Sequence, residues 1–320
     1  MRTHVNLVDR SQEILRGGQE LSGAFLACPN FPVYRYCWFR DGTFIANALD
    51  LYGDHASARR FYDWGAGIVL ANAADIGAAC AVSVGEVPTR YLHTRYAPDG
   101  SQSDEDWPNF QLDGFGTFLW GLSEHLQMTD EPVPAAWKTA VDLLAGYLIH
   151  LWRSPNFDCW EEFPERIHIA TLAALYGGLH AAARHFDLHA ADETAEAIRA
   201  FVLEQAHHGF LPKFVGSDAV DASLLWAAIP YGMFDPHEPI MMRTIEKIAA
   251  DLQGSEGGVH RYAADEYYGG GAWILLTAAL GECLVALGEI ERVQEMLGWI
   301  ERQASPDGEL PEQVPIDLIR

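Results

Sequence analysis

The chain is poor in positive charge: 21 lysines and arginines stand against 45 aspartates and glutamates, a formal net charge of 21 − 45 = −24. Nucleic acid and anionic membranes are bound through clustered Lys and Arg, so both are excluded as partners. A neutral or cationic small molecule fits this surface better. The five cysteines (Cys28, Cys37, Cys80, Cys159, Cys283) are odd in number, scattered and never in a CxxC pair. That pattern reads as reduced thiols in a cytoplasm and excludes a disulfide framework or a zinc site. No apolar run reaches the roughly 18 residues needed to cross a bilayer. The N-terminal stretch MRTHVNLVDRSQEILRGGQE lacks the basic-then-apolar layout of a signal peptide. Thirteen histidines invite a metal, but no HExxH or comparable spacing occurs, and His207-His208 suits a helix end. Neither a metal nor a cofactor is expected.

Strand signals are sparse as well, and helical periodicity fills the space they leave. With Gly, Pro and Asp as punctuation, apolar spacing predicts helices near 8–25, 42–53, 55–72, 112–128, 133–152 and 166–187. Five more are expected near 190–207, 219–231, 237–251, 271–287 and 289–304. No Pro/Ser/Gly linker, low-complexity tract or charge block interrupts them, so residues 1–320 are expected to form a single domain. Hydrophobic residues make up 49% of the chain, enough for a sizeable core.

Two kinds of helix alternate. HASARRFYDWGAGIVLANA (55–73) and EIERVQEMLGWIERQA (289–304) carry one apolar stripe and one charged face, as surface helices do. IHIATLAALYGGLHAAA (167–183) and GAWILLTAALGECLVALG (271–288) are apolar or small nearly all round, which predicts burial. Periodicity alone is compatible with an α/α barrel or an irregular bundle. The connections favour the barrel. Those from an inner to an outer helix are short, as at Tyr52-Gly53-Asp54. Those from an outer to an inner helix are long and rich in Trp, Tyr, Arg, Asp and Glu, so the unusual residues collect at one end of the inner helices.

Five such loops stand out: YRYCWFRDG (34–42), WPNFQLD (107–113), DCWEE (158–162), HRYAADEYYGGG (260–271) and DGELPEQ (307–313). Aromatic platforms beside Asp, Arg and Glu suit a sugar, whose apolar face stacks on rings while its hydroxyls bond to carboxylates and guanidinium. Cleaving a glycosidic bond needs two carboxyl groups, and Glu161 and Glu312 are the candidates. Each residue also has a plainer reading. Glu161-Glu162 is compatible with a solvated surface pair. Asp41 and Asp113 precede expected helices and could serve as N-caps. Arg40 and Arg261 could be partners of nearby carboxylates, and Gly269–Gly271 could simply break the chain before a helix.

At these motifs the chain resembles the glucoamylase family of glycoside hydrolases, family 15, from about Ser11 to Gln313 and with the five motifs in the family's order. The resemblance implies an all-α fold, an (α/α)6 barrel of alternating outer and inner helices. It makes Arg40 and Asp41 the grip on the sugar in the deepest subsite, with Tyr34, Tyr36 and Trp38 as pocket walls. Trp107 would lie near the general acid, with Asp113 at the following helix start. In DCWEE, Glu161 would donate the proton, with Trp160 and Glu162 contacting the sugar. Arg261 would bind substrate, supported by Asp265 and Tyr267. In GELPEQ, Glu312 matches the general base and Glu309 does not. Activity would follow: inverting release of β-glucose from the non-reducing ends of short α-1,4- or α-1,6-linked oligosaccharides. Trehalose cleavage is the alternative within the family, and a non-catalytic sugar-binding module the alternative outside enzymes.

Two departures shape the expectation. The β-sandwich and starch-binding domains found in many members are absent, which favours small soluble oligosaccharides over raw starch. The family continues past the base motif into a further inner helix, whereas this sequence stops at Arg320, eight residues after Glu312. The final inner helix is therefore expected to be missing, with exposed apolar surface along the seam, a poorly braced Glu312 and a tendency to homo-oligomerise.

Overall fold

Helices dominate the computed structural model, which describes residues 6–28, 30–103 and 105–315. Among these residues are eleven α-helices and four two-residue strands. The helices are α1 (Leu7–Gly17), α2 (Phe39–Leu51), α3 (His55–Ala71), α4 (Ala73–Ala79), α5 (Asp113–Thr129), α6 (Ala135–Leu151), α7 (Ile169–Phe186), α8 (His189–Gln205), α9 (Pro239–Leu252), α10 (Ile274–Ala286) and α11 (Ile290–Gln303). The strands are β1 (Cys37–Trp38), β2 (Arg95–Tyr96), β3 (Ala272–Trp273) and β4 (Gln313–Val314). The chain divides into two compact units, Ile14–Ala200 and a second made of the residues before Ile14 with those from Phe201 onward.

In the Ile14–Ala200 unit, α5 packs against both α2 and α7, while α3 and α6 pack around them. α5 and α7 are buried along nearly their whole length, as the all-round apolar composition of α7 predicts. Glycine sets how closely they approach. A Cβ on Gly178 would come within 2.1 Å of the Gly116 carbonyl oxygen, and one on Gly116 within 2.5 Å of the Ala174 carbonyl oxygen. Both obstacles are backbone, which cannot swing aside. We expect Gly178→Ala to destabilise the chain by about 1–3 kcal/mol despite alanine's better helix propensity, read as a lower thermal midpoint.

The short turns share a stop signal. α2, α5, α7 and α10 are each followed by a residue in the left-handed region: Gly53 (φ 81), Asp130 (φ 54), Asp187 (φ 57) and Gly288 (φ 77). At α5 and α7 this residue's N–H caps the helix through the carbonyls of Leu126 and Ala183, the usual left-handed ending. The long connections run from α1 to α2, from α4 to α5, from α6 to α7, from α8 to α9 and from α9 to α10.

In the second unit, α10 packs on α11 and on a 3-10 turn at Ala222–Ala227. β3 pairs with β4 antiparallel, with Ala272 opposite Val314 and Trp273 opposite Gln313. Val314 joins Ala272 and Trp299 in a small apolar cluster.

Several expectations need correction. The helix expected over 8–25 ends at Gly17, because Gly17-Gly18 gives up helical restriction cheaply. No α-helix forms over 219–231. Asp221 Oδ1 accepts bonds from both the N–H and the hydroxyl of Ser223 and starts a 3-10 turn instead, and Pro230 can supply no helical donor. The short α4, after Asn72, was not anticipated. α10 was expected to be buried all round, yet Leu275 and Val285 are exposed in one stripe with Ala278 and Glu282. An apolar composition permits burial but does not supply the neighbour.

Candidate active site

Three sequence-distant segments meet at the N-terminal ends of α2 and α5. β1 pairs with β2, Cys37 opposite Tyr96 and Trp38 opposite Arg95. The Phe39 N–H then donates to the Thr94 carbonyl at 3.2 Å, and the Thr94 N–H to the Asn109 carbonyl at 3.1 Å. These bonds fasten the Trp38-Phe39-Arg40-Asp41 and Trp107–Asp113 segments to the same short ladder.

Asp41 and Asp113 are not N-caps. Asp41 lies in the first turn of α2, Asp113 is the first residue of α5, and neither helix start carries a side-chain cap bond. Asp113 Oδ2 instead accepts from Arg40 Nη1 at 2.8 Å, and Asp41 Oδ2 lies 3.6 Å from Arg40 Nε. Burial works against the Arg40 charge, but Asp113 and then Asp41 outweigh it and hold the guanidinium above its usual value. Burial pushes the Asp41 carboxyl up. Arg40 opposes that rise, and the charges of Glu161 and Asp113 add to it. Asp41 Oδ2 is buried and accepts no hydrogen bond among the described residues, so it can receive a sugar hydroxyl without giving up a hydrogen bond.

Glu161 sits in a tight loop between α6 and α7. Asp158 Oδ1 accepts the backbone N–H groups of Trp160 and Glu162 at 3.0 and 2.9 Å, and the Glu161 N–H donates to the Asp158 carbonyl at 2.9 Å. This knot holds Glu161 at φ 67, in the left-handed region that an L side chain seldom adopts. The side chain is then fixed from three directions. Trp38 Nε1, Trp107 Nε1 and Gln111 Nε2 donate to Glu161 Oε1 at 2.8, 2.9 and 3.2 Å. All three bonds land on Oε1 and none on Oε2. A protonated Glu161 therefore carries its proton on Oε2, since Oε1 already faces three N–H groups.

Gln111 is oriented in turn. Its Oε1 accepts from Arg40 Nη1 at 3.2 Å and from Thr94 Oγ1 at 3.1 Å, which turns its amide N–H towards Glu161. Around this centre Trp38, Trp107 and Tyr34 form an aromatic wall, with centroid separations of 5.9 to 6.4 Å. Tyr36 meets Trp38 edge-on at 6.4 Å. Trp160 and Glu162 are half-buried beside Glu161 in its loop.

The remaining candidates lie in the second unit. Arg261 and Asp265 form a buried bidentate pair, with Arg261 Nε to Asp265 Oδ2 at 2.8 Å and a second bond from Nη2 to Oδ1. The Tyr267 N–H donates to Asp265 Oδ1 at 2.9 Å, and the Arg261 guanidinium lies 4.9 Å from the Tyr267 ring. Arg261 is thus paired with a nearby carboxylate. Glu312 immediately precedes β4. The Ile274 N–H donates to its carbonyl at 3.3 Å, and Gln313 Nε2 donates to the Tyr267 carbonyl at 2.9 Å. The Glu312 backbone is therefore tied to the 267–274 segment, while the residue itself is exposed.

His207 and His208 follow α8, where His208 Nε2 meets Asp218 at 2.8 Å. One group with metal-ligand chemistry occurs among the described residues, Asp50 with His55 and His125. Both imidazole Nδ1 atoms lie 2.8–3.0 Å from the Asp50 carboxylate. Those are hydrogen-bond distances, and they tie the end of α2 to α3 and α5.

Gln111, Thr94 and Asp158 were not singled out from sequence, although Gln111 and Asp158 fall inside recognised motifs. A polar residue within such a motif is a signal in itself.

The family model for glycosyl hydrolases family 15 matches residues 11–303. The chain belongs to glycosyl hydrolases family 15. It is 39% identical over 324 residues to the isomaltose glucohydrolase of Kribbella flavida, a match covering 98% of this chain and 84% of that protein. A solved glycosidase variant in complex with glucose superposes with a TM-score of 0.90 at 38% identity, over 97% of this chain and 86% of that one. A bacterial glucoamylase complexed with acarbose matches with a TM-score of 0.76 at 21% identity, over 97% of this chain and 51% of that one, a likeness of fold alone. The fold class is all-α, of the glucoamylase (α/α)6 barrel type, and the chain is a glycoside hydrolase.

Proposed function

We propose that this family 15 hydrolase is an exo-acting α-glucosidase that releases β-D-glucose from the non-reducing ends of short gluco-oligosaccharides, isomaltose foremost. The observation that carries the reading is the state of Glu161: one carboxyl oxygen is anchored by three N–H donors, the other carries none of these bonds, and the buried Arg40–Asp113 pair and Asp41 stand beside it. The isomaltose glucohydrolase relative supports the choice of substrate. Glu161 acts as general acid, delivering its Oε2 proton to the glycosidic oxygen as that bond breaks. Glu312 acts as general base, taking a proton from a water that attacks the anomeric carbon from the opposite face. Inversion by this scheme needs the two carboxyls about 6.5–9.5 Å apart, leaving room for the water.

Asp41, Arg40 and Arg261 bind hydroxyls of the terminal glucose in this reading. Tyr34, Tyr36, Trp38, Trp107 and Trp160 stack on sugar faces, Glu162 contacts the sugar being released, and Asp265 and Tyr267 hold Arg261. The partner is a neutral oligosaccharide. Among the described residues no helix is long and apolar enough to cross a membrane. The five unpaired thiols support a reducing cytoplasm as the location.

A proton NMR time course on isomaltose, maltose and trehalose tests the proposal. The expected outcome is fastest loss of isomaltose with the β-anomer of glucose appearing first. The α-anomer first would overturn inversion, trehalose as the preferred substrate would make the chain a trehalase, and no turnover of any would leave a sugar-binding module.

A further inference from the structure

Arg95 belongs to none of the motifs read from the sequence, yet its side chain is fully buried at the heart of the acid site. Its guanidinium carbon lies 3.7 Å from the centroid of the Trp107 ring, 4.2 Å from Tyr36 and 5.2 Å from Trp38. Nη1 donates to the Val33 carbonyl at 3.1 Å, and Nη2 to Glu105 Oε2 at 2.6 Å. Nε is buried and has no hydrogen-bond partner among the described residues.

Burying a guanidinium with one donor unsatisfied is costly, and an apolar side chain would fill the same space without that cost. What only arginine offers is a planar cation that can stack on aromatic rings while two fixed N–H groups hold its own plane in place. The rings it touches include both indoles that donate to Glu161 Oε1. We infer that Arg95 is a positioning residue for the general acid, acting through Trp38 and Trp107 to fix where the Glu161 carboxyl stands. The inference rests on the proposed acid role of Glu161. Its physical basis is leverage: a misplacement of about 1 Å in a catalytic group costs on the order of 100-fold in rate. A wall of loosely held indoles would allow such a shift.

The test compares two substrates. Isomaltose has a poor leaving group and needs the acid, whereas fluoride leaves α-glucosyl fluoride without protonation. For Arg95→Met, kcat on isomaltose should fall about 10- to 100-fold with KM within about threefold, while kcat on α-glucosyl fluoride falls less than about threefold. Arg95→Lys should restore little, because an ammonium on a flexible stem neither stacks nor holds both anchors. Equal losses on the two substrates, or no loss on isomaltose, would overturn the inference.

Circular dichroism and the melting temperature show whether Arg95→Met folds. If it does not, Glu105→Gln decides. Glu105 is about half exposed, so its replacement is safe for folding, and a selective loss of about 3- to 10-fold on isomaltose is expected. Glu161→Gln run alongside separates the two failures. If it loses both substrates equally, the acid assignment itself falls. If it is selective and the Arg95 variants are not, only the positioning role falls.

Discussion

Glu161→Gln should lower kcat on isomaltose by about 10²–10⁴-fold, the usual contribution of a positioned general acid, while the melting temperature stays within roughly 2 °C of wild type. The second half of that expectation follows from the way the side chain is held. A glutamine carbonyl can occupy the place of Oε1 and accept the same three bonds from Trp38, Trp107 and Gln111. The amide nitrogen then sits where Oε2 was, with no acidic proton to give. The loop is held by Asp158 through backbone groups of residues 160–162, which the substitution does not touch. A loss confined to kcat on substrates with poor leaving groups, with KM nearly unchanged, would mark removal of an interaction made in the transition state. Activity within about threefold of wild type would end the acid assignment.

Much of this site could be read from the sequence because its motifs sit at boundaries between helices and long loops, where composition changes sharply. The alternation of short and long connections predicted where the chemistry would collect, and the left-handed residues Gly53, Asp130, Asp187 and Gly288 are the physical form of the short turns. The Glu161 loop was legible as DCWEE, but its backbone was not. The positive φ at Glu161 is imposed by the hydrogen bonds of Asp158, not by any local preference of glutamate. Arg95 was invisible for a related reason. It lies on a two-residue strand in an irregular stretch, and its meaning comes from pairing with Trp38, 57 positions earlier in the chain (95 − 38 = 57). Asp113 is compatible with a cap in the sequence because a carboxylate at a helix start usually has a local job, and in the structure a long-range ion pair takes precedence. The apolar pattern over 219–231 failed in the same manner: one Asp side chain closing a turn and one proline outweighed a run of helix-forming residues.

The Arg40–Asp113 pair carries the second large effect, this time on stability. Both side chains are largely buried, at 14% and 5% exposure. Arg40→Met removes the cation and strands the Asp113 carboxylate in a site with little water. Breaking such a pair typically costs about 3–5 kcal/mol, which for a chain of this size should lower the thermal midpoint by roughly 5–8 °C. Removing both charges is a different experiment. In Arg40→Met with Asp113→Leu no charge is left uncompensated, and replacing a buried pair by apolar groups is often neutral. The double variant should therefore recover most of the lost midpoint while remaining inactive on isomaltose, because Arg40 also orients Gln111 and stands beside Asp41. Differential scanning calorimetry of the two variants, with activity measured on the same samples, decides between the possibilities. An unchanged midpoint in Arg40→Met would mean that the pair is not a buried ion pair in solution. Recovery of activity in the double variant would mean that its charges serve the fold and not the sugar. The expected combination, stability regained without activity, makes the pair a feature that the fold could do without and the substrate could not.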